Sequence, residues 1–310
     1  MSWCDLIDAE NLTRKFDGFT AVDNLTLQVK EGEVFGFLGP NGAGKTTTMR
    51  MLSCLISKTS GDAWIAGYDI SDEADSLKIR KIIGLLPENV SLYNDLTAYK
   101  NLDFYGKLYE CPDAQRKENI DHFLKMLGLW DKRDTTVGTF SKGMKQKLAI
   151  ARALIHDPEI LFLDEPTANL DPESSKTVRD FILELKKENK TIFINTHNLD
   201  EVQRTCDKIG IFNTKLMVLG TPEELEESVW GNKTVIQLKQ VNNKILEALN
   251  KLNLRNITLD NNKLIMDIVD PEKENPIIVD TIVGAGGRVQ YVTRLSPTLE
   301  EAYLKFVRGD

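Results

Sequence analysis

The chain has 310 residues, enough for one large domain and one small one. Hydrophobic residues make up 41% of it, ample for a core, and its net charge of −8 excludes the basic excess of a generic nucleic-acid binder. No apolar run approaches the roughly 18 residues of a spanning helix, and no basic segment followed by an apolar stretch opens the chain, so neither a membrane span nor a signal peptide is expected. The cysteines, Cys4, Cys54, Cys111 and Cys206, lack metal-ligand spacing and are expected to be free thiols in a reducing compartment. With only His122, His156 and His197, a histidine-rich metal site is excluded.

Ala21 to Val29 alternates apolar and polar residues, the pattern of a half-buried strand, and Gly32-Glu33 marks a turn. Val34 to Leu38 is a continuous apolar run and predicts a buried strand. A glycine-rich loop follows, and Lys45 to Leu55 predicts a helix. From Leu96 the pattern is helical, with Thr97 as N-cap; a second helix is expected over Asp113 to Leu127, stopped by Gly128. Ser141 is a candidate cap for a helix carrying Leu148, Ile150, Ala151, Leu154 and Ile155. Strand Ile160 to Leu163, helix Ser174 to Glu188 and strand Thr191 to Asn195 complete an alternation that predicts an α/β fold with a mainly parallel sheet. The pattern changes near Thr221-Pro222. Beyond Trp230, strands are expected over Thr234–Lys239, Arg255–Leu259, Leu264–Ile268 and Arg288–Val292. Helices are expected over Asn243–Leu252, Pro276–Val283 and Pro297–Phe306. The order βαββαβ plus a helix predicts a ferredoxin-like α+β module.

Gly39-Pro40-Asn41-Gly42-Ala43-Gly44-Lys45-Thr46 matches the phosphate-binding pattern G-x-x-x-x-G-K-S/T, after a strand and before a helix, as that pattern requires. Glycines let backbone N–H groups converge on phosphate oxygens, and the helix start adds the positive end of its dipole. Lys45 is placed to reach the β- and γ-phosphates, and the Thr46 hydroxyl to ligate Mg²⁺, with Thr47 beside it. Asp164-Glu165 ends the apolar strand from Ile160, at the edge of a parallel sheet where ligands bind. Asp164 is a candidate Mg²⁺ holder and Glu165 a candidate general base.

Residues Leu6 to about Leu225 closely resemble the ABC ATPase cassette, a P-loop NTPase with a RecA-like core and a helical subdomain. Phe140-Ser141-Lys142-Gly143-Met144-Lys145-Gln146 resembles the family signature, usually Leu-Ser-Gly-Gly-Gln, and Ala151-Arg152-Ala153 follows on its helix. Asp164-Glu165-Pro166-Thr167 resembles the extended Walker B and Ala168-Asn169-Leu170-Asp171 the D-loop. Thr196-His197 resembles the switch histidine, and Phe16 falls where the family has an adenine-stacking aromatic. The resemblance implies an ATPase using ATP and Mg²⁺, at the cytoplasmic face of the cell membrane. It implies head-to-tail pairing of two cassettes, expected as a homodimer, each ATP lying between one P-loop and Ser141 and Gly143 of the other chain. It also implies a separate multi-span membrane permease, in the exporter-like, drug- or sodium-export branch, and no nucleic-acid partner. His197 would contact the γ-phosphate and help hold the attacking water. The expected division is residues 1–225 for the nucleotide-binding domain, with a helical subdomain at about 90–157, and residues 230–310 for an accessory or regulatory module.

Two positions depart from the pattern. Glu88, in Leu85-Leu86-Pro87-Glu88, stands where the family has a coupling glutamine; its oxygens can still meet Mg²⁺ or water, and its charge is expected to favour Mg²⁺. Lys142 replaces the first signature glycine, as in similar exporter-like signatures. Tyr93, Tyr99, Phe104, Tyr105 and Tyr109 lie where the family receives a coupling helix, although core packing is expected to account for most of them. A soluble ABC ATPase acting on ribosomes or nucleic acid is the alternative, but its usual second cassette, long coiled coils or zinc modules are not visible. A nucleotide sensor with little turnover is opposed by intact Lys45, Asp164, Glu165 and His197. A small GTPase is excluded by the lack of an N-K-x-D motif.

Overall fold

The computed structural model describes residues 5–230, 233–252, 254–295 and 298–308; the expectations for Cys4, Ser296 and Pro297 lie outside them. The chain forms two compact units, Met1–Pro222 and Glu223–Asp310.

In the first unit, β1 (Asp5–Phe16) and β2 (Phe19–Lys30) form a long hairpin, followed by β3 (Val34–Leu38) and α1 (Lys45–Leu52). Then come β4 (Ser60–Ile65), β5 (Tyr68–Asp69), α2 (Glu73–Ile82) and β6 (Ile83–Leu86). Helices α3 (Ala98–Leu108), α4 (Asp113–Met126) and α5 (Lys142–Leu154) make the helical part. The unit closes with β7 (Ile160–Asp164), α6 (Pro172–Lys187), β8 (Thr191–Thr196), α7 (Leu199–Thr205), β9 (Lys208–Asn213) and β10 (Lys215–Gly220).

Two sheets result. One has the order β2-β1-β4-β5 and is antiparallel; the other has the order β10-β9-β3-β8-β7-β6. All pairs of the second sheet are parallel except β9 with β10. Every residue of β3, β7 and β8 is buried, as continuous apolar runs demand when both faces of a strand are covered. Phe35, Phe37, Phe162 and Phe193 pack with ring centroids 5.2–6.2 Å apart. The same core takes in Ile7, Leu12, Val22 and Ile65 from the antiparallel sheet and Met49, Met51 and Leu52 from α1. Burying one such aromatic side chain contributes about 2–3 kcal/mol, so this shared core sets the level from which the site loops emerge.

The expected caps form. Thr97 accepts from Lys100 N–H and Ser141 from Met144 N–H, starting α3 and α5 where the sequence places them. Helix α1 stops at Leu52, three residues earlier than its pattern suggests, because Cys54 takes a φ of 56°. Of the aromatics expected to be mainly core, Tyr99 and Tyr105 are half-buried and the other three are not buried. Tyr93, Phe104 and Tyr109 are exposed, with Tyr93 and Phe104 meeting edge to face at 5.0 Å and Tyr109 stacking on His156 at 3.8 Å.

Helix α8 (Pro222–Trp230) begins at the last residue of the first unit, and the second unit continues with β11 (Lys233–Leu238), α9 (Asn243–Asn250), β12 (Arg255–Asp260), β13 (Lys263–Asp267), α10 (Pro271–Gly284), β14 (Val289–Leu295) and α11 (Leu299–Arg308). Its sheet order is β12-β13-β11-β14, all pairs antiparallel, the ferredoxin-like arrangement. Ile236, Leu238, Leu264 and Met266 on one sheet face meet Ile245, Leu249, Ile278 and Ile282 from α9 and α10. Helix α10 starts five residues before the expected Pro276. Asp270 caps it, Pro271 occupies the first turn, and Pro276 is carried inside the helix.

A buried amide fastens the loop before α3. Asn101, fully buried, donates to the carbonyls of Tyr93 (3.0 Å) and Thr97 (3.0 Å) and accepts from Tyr93 N–H (2.9 Å). Replacing it strands those backbone groups away from water. Asn101→Ala is expected to lower unfolding stability by about 1–3 kcal/mol, read from urea unfolding curves of the full chain.

Candidate active site

Parallel register brings the carboxyl ends of three strands together: Leu38 pairs with Thr196, and Asp164 with Asn195. The loop 39–44, the Asp164-Glu165 pair and Thr196-His197 therefore share one edge of the sheet. Gly39 N–H donates to Thr196 O at 3.4 Å, and Glu165 N–H to Asn195 O at 2.9 Å.

The glycines of the loop answer to close approach. A Cβ at Gly39 would stand 2.1 Å from Phe212 O. One at Gly44, whose φ is 98°, would stand 2.1 Å from Ala21 O. No side chain caps α1 at Gly44, so its first-turn N–H groups are left for a ligand. The cavity above this helix start measures about 500 Å³. Asn41 to Thr47 form its floor; Phe19, Ala21, Glu88, Asp164 and Glu165 line the rest.

Lys45 lies at the bottom, buried, with Nζ donating to Gly39 O (2.7 Å) and Pro40 O (3.1 Å). Burial pulls its pKa down, and the charges of Glu165, Asp164 and Glu88 oppose that. Asp164 is shifted the other way. Burial raises its pKa, the bonds from Thr46 and Asn195 counteract it, and the Glu165 and Glu88 charges add to the rise. Thr46 Oγ1 donates to Asp164 Oδ2 at 2.8 Å, and Asn195 Nδ2 to Oδ1 at 3.2 Å.

His197 Nδ1 lies 2.8 Å from Glu165 Oε1. A carboxylate only accepts, so Nδ1 carries a proton and donates this hydrogen bond, leaving Nε2 outside it. Thr196 Oγ1 donates to Glu165 Oε2 at 3.4 Å. Glu165 itself has a φ of 51°, the left-handed region, so the chain turns sharply out of the sheet directly after Asp164.

The remaining expected residues are elsewhere. Ser141 and Gly143 begin α5, and Asp171 caps α6 through Ser174 N–H at 2.9 Å; none of the three lines the cavity. They are neighbours of one another, since a Cβ at Gly143 would reach Ser174 Oγ at 2.7 Å and Asp171 Oδ2 at 3.6 Å. Hydrogen bonds from the Ser174 backbone and side chain hold the Asp171 carboxyl below its usual range. Lys142 is exposed. Phe16 is exposed at the tip of the β1–β2 hairpin and does not line the cavity; the Arg14 guanidinium covers one of its faces at 4.4 Å. Phe19, paired with Phe16 across the hairpin, does line it, and sequence reading did not single it out. Gln146, read in the sequence only as part of the signature, donates its amide to Pro166 O at 3.1 Å and ties α5 to the loop that carries Glu165.

The donor set suits a magnesium nucleotide. Thr46, Asp164 and Glu88 offer hard oxygens, yet among the described residues no cluster of three or more acidic, histidine or cysteine side chains could hold a metal by itself. Mg²⁺ usually takes one or two carboxylates and completes its shell with substrate phosphates and water.

Comparison with known proteins gives the same picture. The ABC transporter family model (ABC_tran) matches residues 22–168. The linearmycin resistance ATP-binding protein LnrL of Bacillus subtilis (strain 168) is 33% identical over 304 residues, covering 97% of this chain and 96% of the relative. The bacitracin transport ATP-binding protein BcrA of Bacillus licheniformis is 44% identical over 209 residues, 67% of each chain. Among solved structures, the dimeric post-hydrolysis state of the ATP-binding cassette MJ0796 bound to ADP and Pi superposes with a TM-score of 0.64 at 25% identity, over 69% of this chain and 98% of that one. With strand-end geometry, phosphate loop and a relative matched over nearly its whole length in agreement, the chain belongs to the ABC transporter family, as an ATP-binding ATPase subunit.

Proposed function

We propose that this chain works in a head-to-tail pair of copies, each ATP lying between the P-loop of one and Ser141 and Gly143 of the other, and that closure of the pair drives export through a separate multi-span membrane permease. The separation of half-sites carries the reading: the cavity holds Lys45, Thr46, Asp164 and Glu165, while the signature residues lie outside it. The dimeric MJ0796 cassette with ADP and Pi supports the pairing, and LnrL and BcrA, a resistance and a transport protein by name, support export. No described helix is long and apolar enough to cross a membrane, in keeping with a peripheral place at the cytoplasmic face. The exposed Tyr93, Phe104 and Tyr109 support a docking role for the helical part. The module at 230–310 is assigned an accessory or regulatory role.

In the reaction, incoming phosphates take Lys45 Nζ from the Gly39 and Pro40 carbonyls and meet the open N–H groups of α1. Thr46, Asp164 and Glu88 would hold Mg²⁺, which neutralises phosphate charge when bound. Glu165 accepts the proton of the attacking water. His197, oriented by its Nδ1–H bond to Glu165, presents Nε2 to the γ-phosphate and helps hold that water, and the signature of the second copy closes over the γ-phosphate. A ligand bound only by the closed pair stabilises that pair, so hydrolysis and phosphate release reopen it.

Glu165→Gln removes the base and keeps the size. Hydrolysis is expected to fall by about 10²–10⁴-fold while ATP-dependent dimers accumulate in size-exclusion chromatography. A variant that hydrolyses at the wild-type rate, or one that stays monomeric with ATP, overturns the mechanism. For Glu88→Gln, loss of about 1 kcal/mol of screened charge attraction is expected to raise the Mg²⁺ concentration for half-maximal hydrolysis about fivefold. Purification from gently solubilised native membranes is expected to retain a multi-span hydrophobic partner; recovery with ribosomes or nucleic acid instead would point to the alternative class.

A further inference from the structure

Helix α7 carries a carboxyl that the reaction above does not use. Glu201 is fully buried, and neither side-chain oxygen has a hydrogen-bond partner. Its backbone N–H donates to the Asn198 cap at 3.3 Å. The nearest polar side chains are the hydroxyls of Thr196 and Thr167, both buried and both adjoining the Glu165 loop. Both hydroxyls face the Glu201 carboxyl, and Thr196 Oγ1 is also engaged with Glu165 Oε2 and with Asn198 N–H at 3.1 Å. The charged groups facing Glu201 are Glu165 and, from α6, Arg179, which is itself paired with exposed Asp200 at 3.6 Å. The Cys206 thiol at the end of the same helix is buried and neutral.

We infer that Glu201 is a positioning residue for Glu165, acting as a neutral acid through the shared Thr196 hydroxyl. This rests on the role given to Glu165 above. As an acid, Glu201 can donate its proton to the free lone pair of Thr196 Oγ1, which then keeps its own proton directed at Glu165. As an anion it only accepts. It then competes with Glu165 for the Thr196 proton and repels the Glu165 carboxylate. Burial raises the Glu201 pKa from 4.5 to about 7, with the Thr196 and Thr167 hydroxyls opposing and the Glu165 charge reinforcing the rise. The neutral form therefore dominates below about pH 7. The sign follows: positioning is intact at lower pH and is lost as pH rises through that value, giving turnover an alkaline limb.

Glu201→Gln replaces the acid by an amide that donates at every pH. At saturating Mg-ATP, wild-type kcat is expected to fall severalfold between pH 6.5 and 8.5, about 10-fold per unit at most. The Gln variant is expected to stay within twofold over the same range, with ATP affinity unchanged. Superimposable pH profiles for the two proteins overturn the inference. A separate outcome, undiminished hydrolysis by Glu165→Gln, overturns instead the role of Glu165. Where Glu201→Gln does not fold or turnover is unmeasurable, the carboxyl ¹³C resonances of glutamate-labelled wild-type chain decide. One glutamate still protonated at pH 6 and titrating near 7 is required; finding all glutamates ionised at pH 6 overturns the inference.

Discussion

Everything at the site depends on the parallel pairing of β3, β7 and β8. The middles of these strands are apolar, because both faces are covered, and their polar side chains stand at the ends. The in-register pairing of Leu38 with Thr196 and of Asp164 with Asn195 then delivers a phosphate loop, two carboxylates and a histidine to one line. A one-residue slip would exchange Asp164 with Glu165 and remove the bond from Thr46. The aromatic core around Phe193 holds that register, so the chemistry rests on hydrophobic packing several ångströms below it.

The polar layer on top is a balance of opposite charges in a poorly solvated place. Lys45 faces Asp164, Glu165 and Glu88 and donates to two backbone carbonyls. The group is acidic in excess, which on the proposed reading disfavours a bare polyanion and favours one that arrives with a divalent cation. Glu88 in place of a neutral amide deepens this bias.

Much of this was legible in the sequence, for physical reasons. Continuous apolar runs mark buried strands, so β3, β7 and β8 stand out. Thr97 and Ser141 announce helix starts because their hydroxyls replace missing backbone partners. The phosphate loop is readable since few residues tolerate its turns and contacts. Other features are three-dimensional and leave no local trace. The two-residue β5 is too short for a pattern, and Pro276 suggested a helix start where Asp270 and Pro271 had already begun one. Tyr93, Phe104 and Tyr109 have the spacing of core residues yet remain exposed. Glu201 sits among Asp200, Gln203 and Arg204 and reads as one more surface charge; only folding shows it sealed behind Thr196.

The distance of Ser141 and Gly143 from the cavity has a consequence for inheritance. On the proposed pairing, each copy lends half of itself to two different sites. A copy damaged at Lys45 and another damaged at Ser141 are each inactive as pure pairs. When mixed, they concentrate both lesions in one site and leave the other whole. Two recessive alleles of a single gene would then complement each other, as alleles of separate genes do.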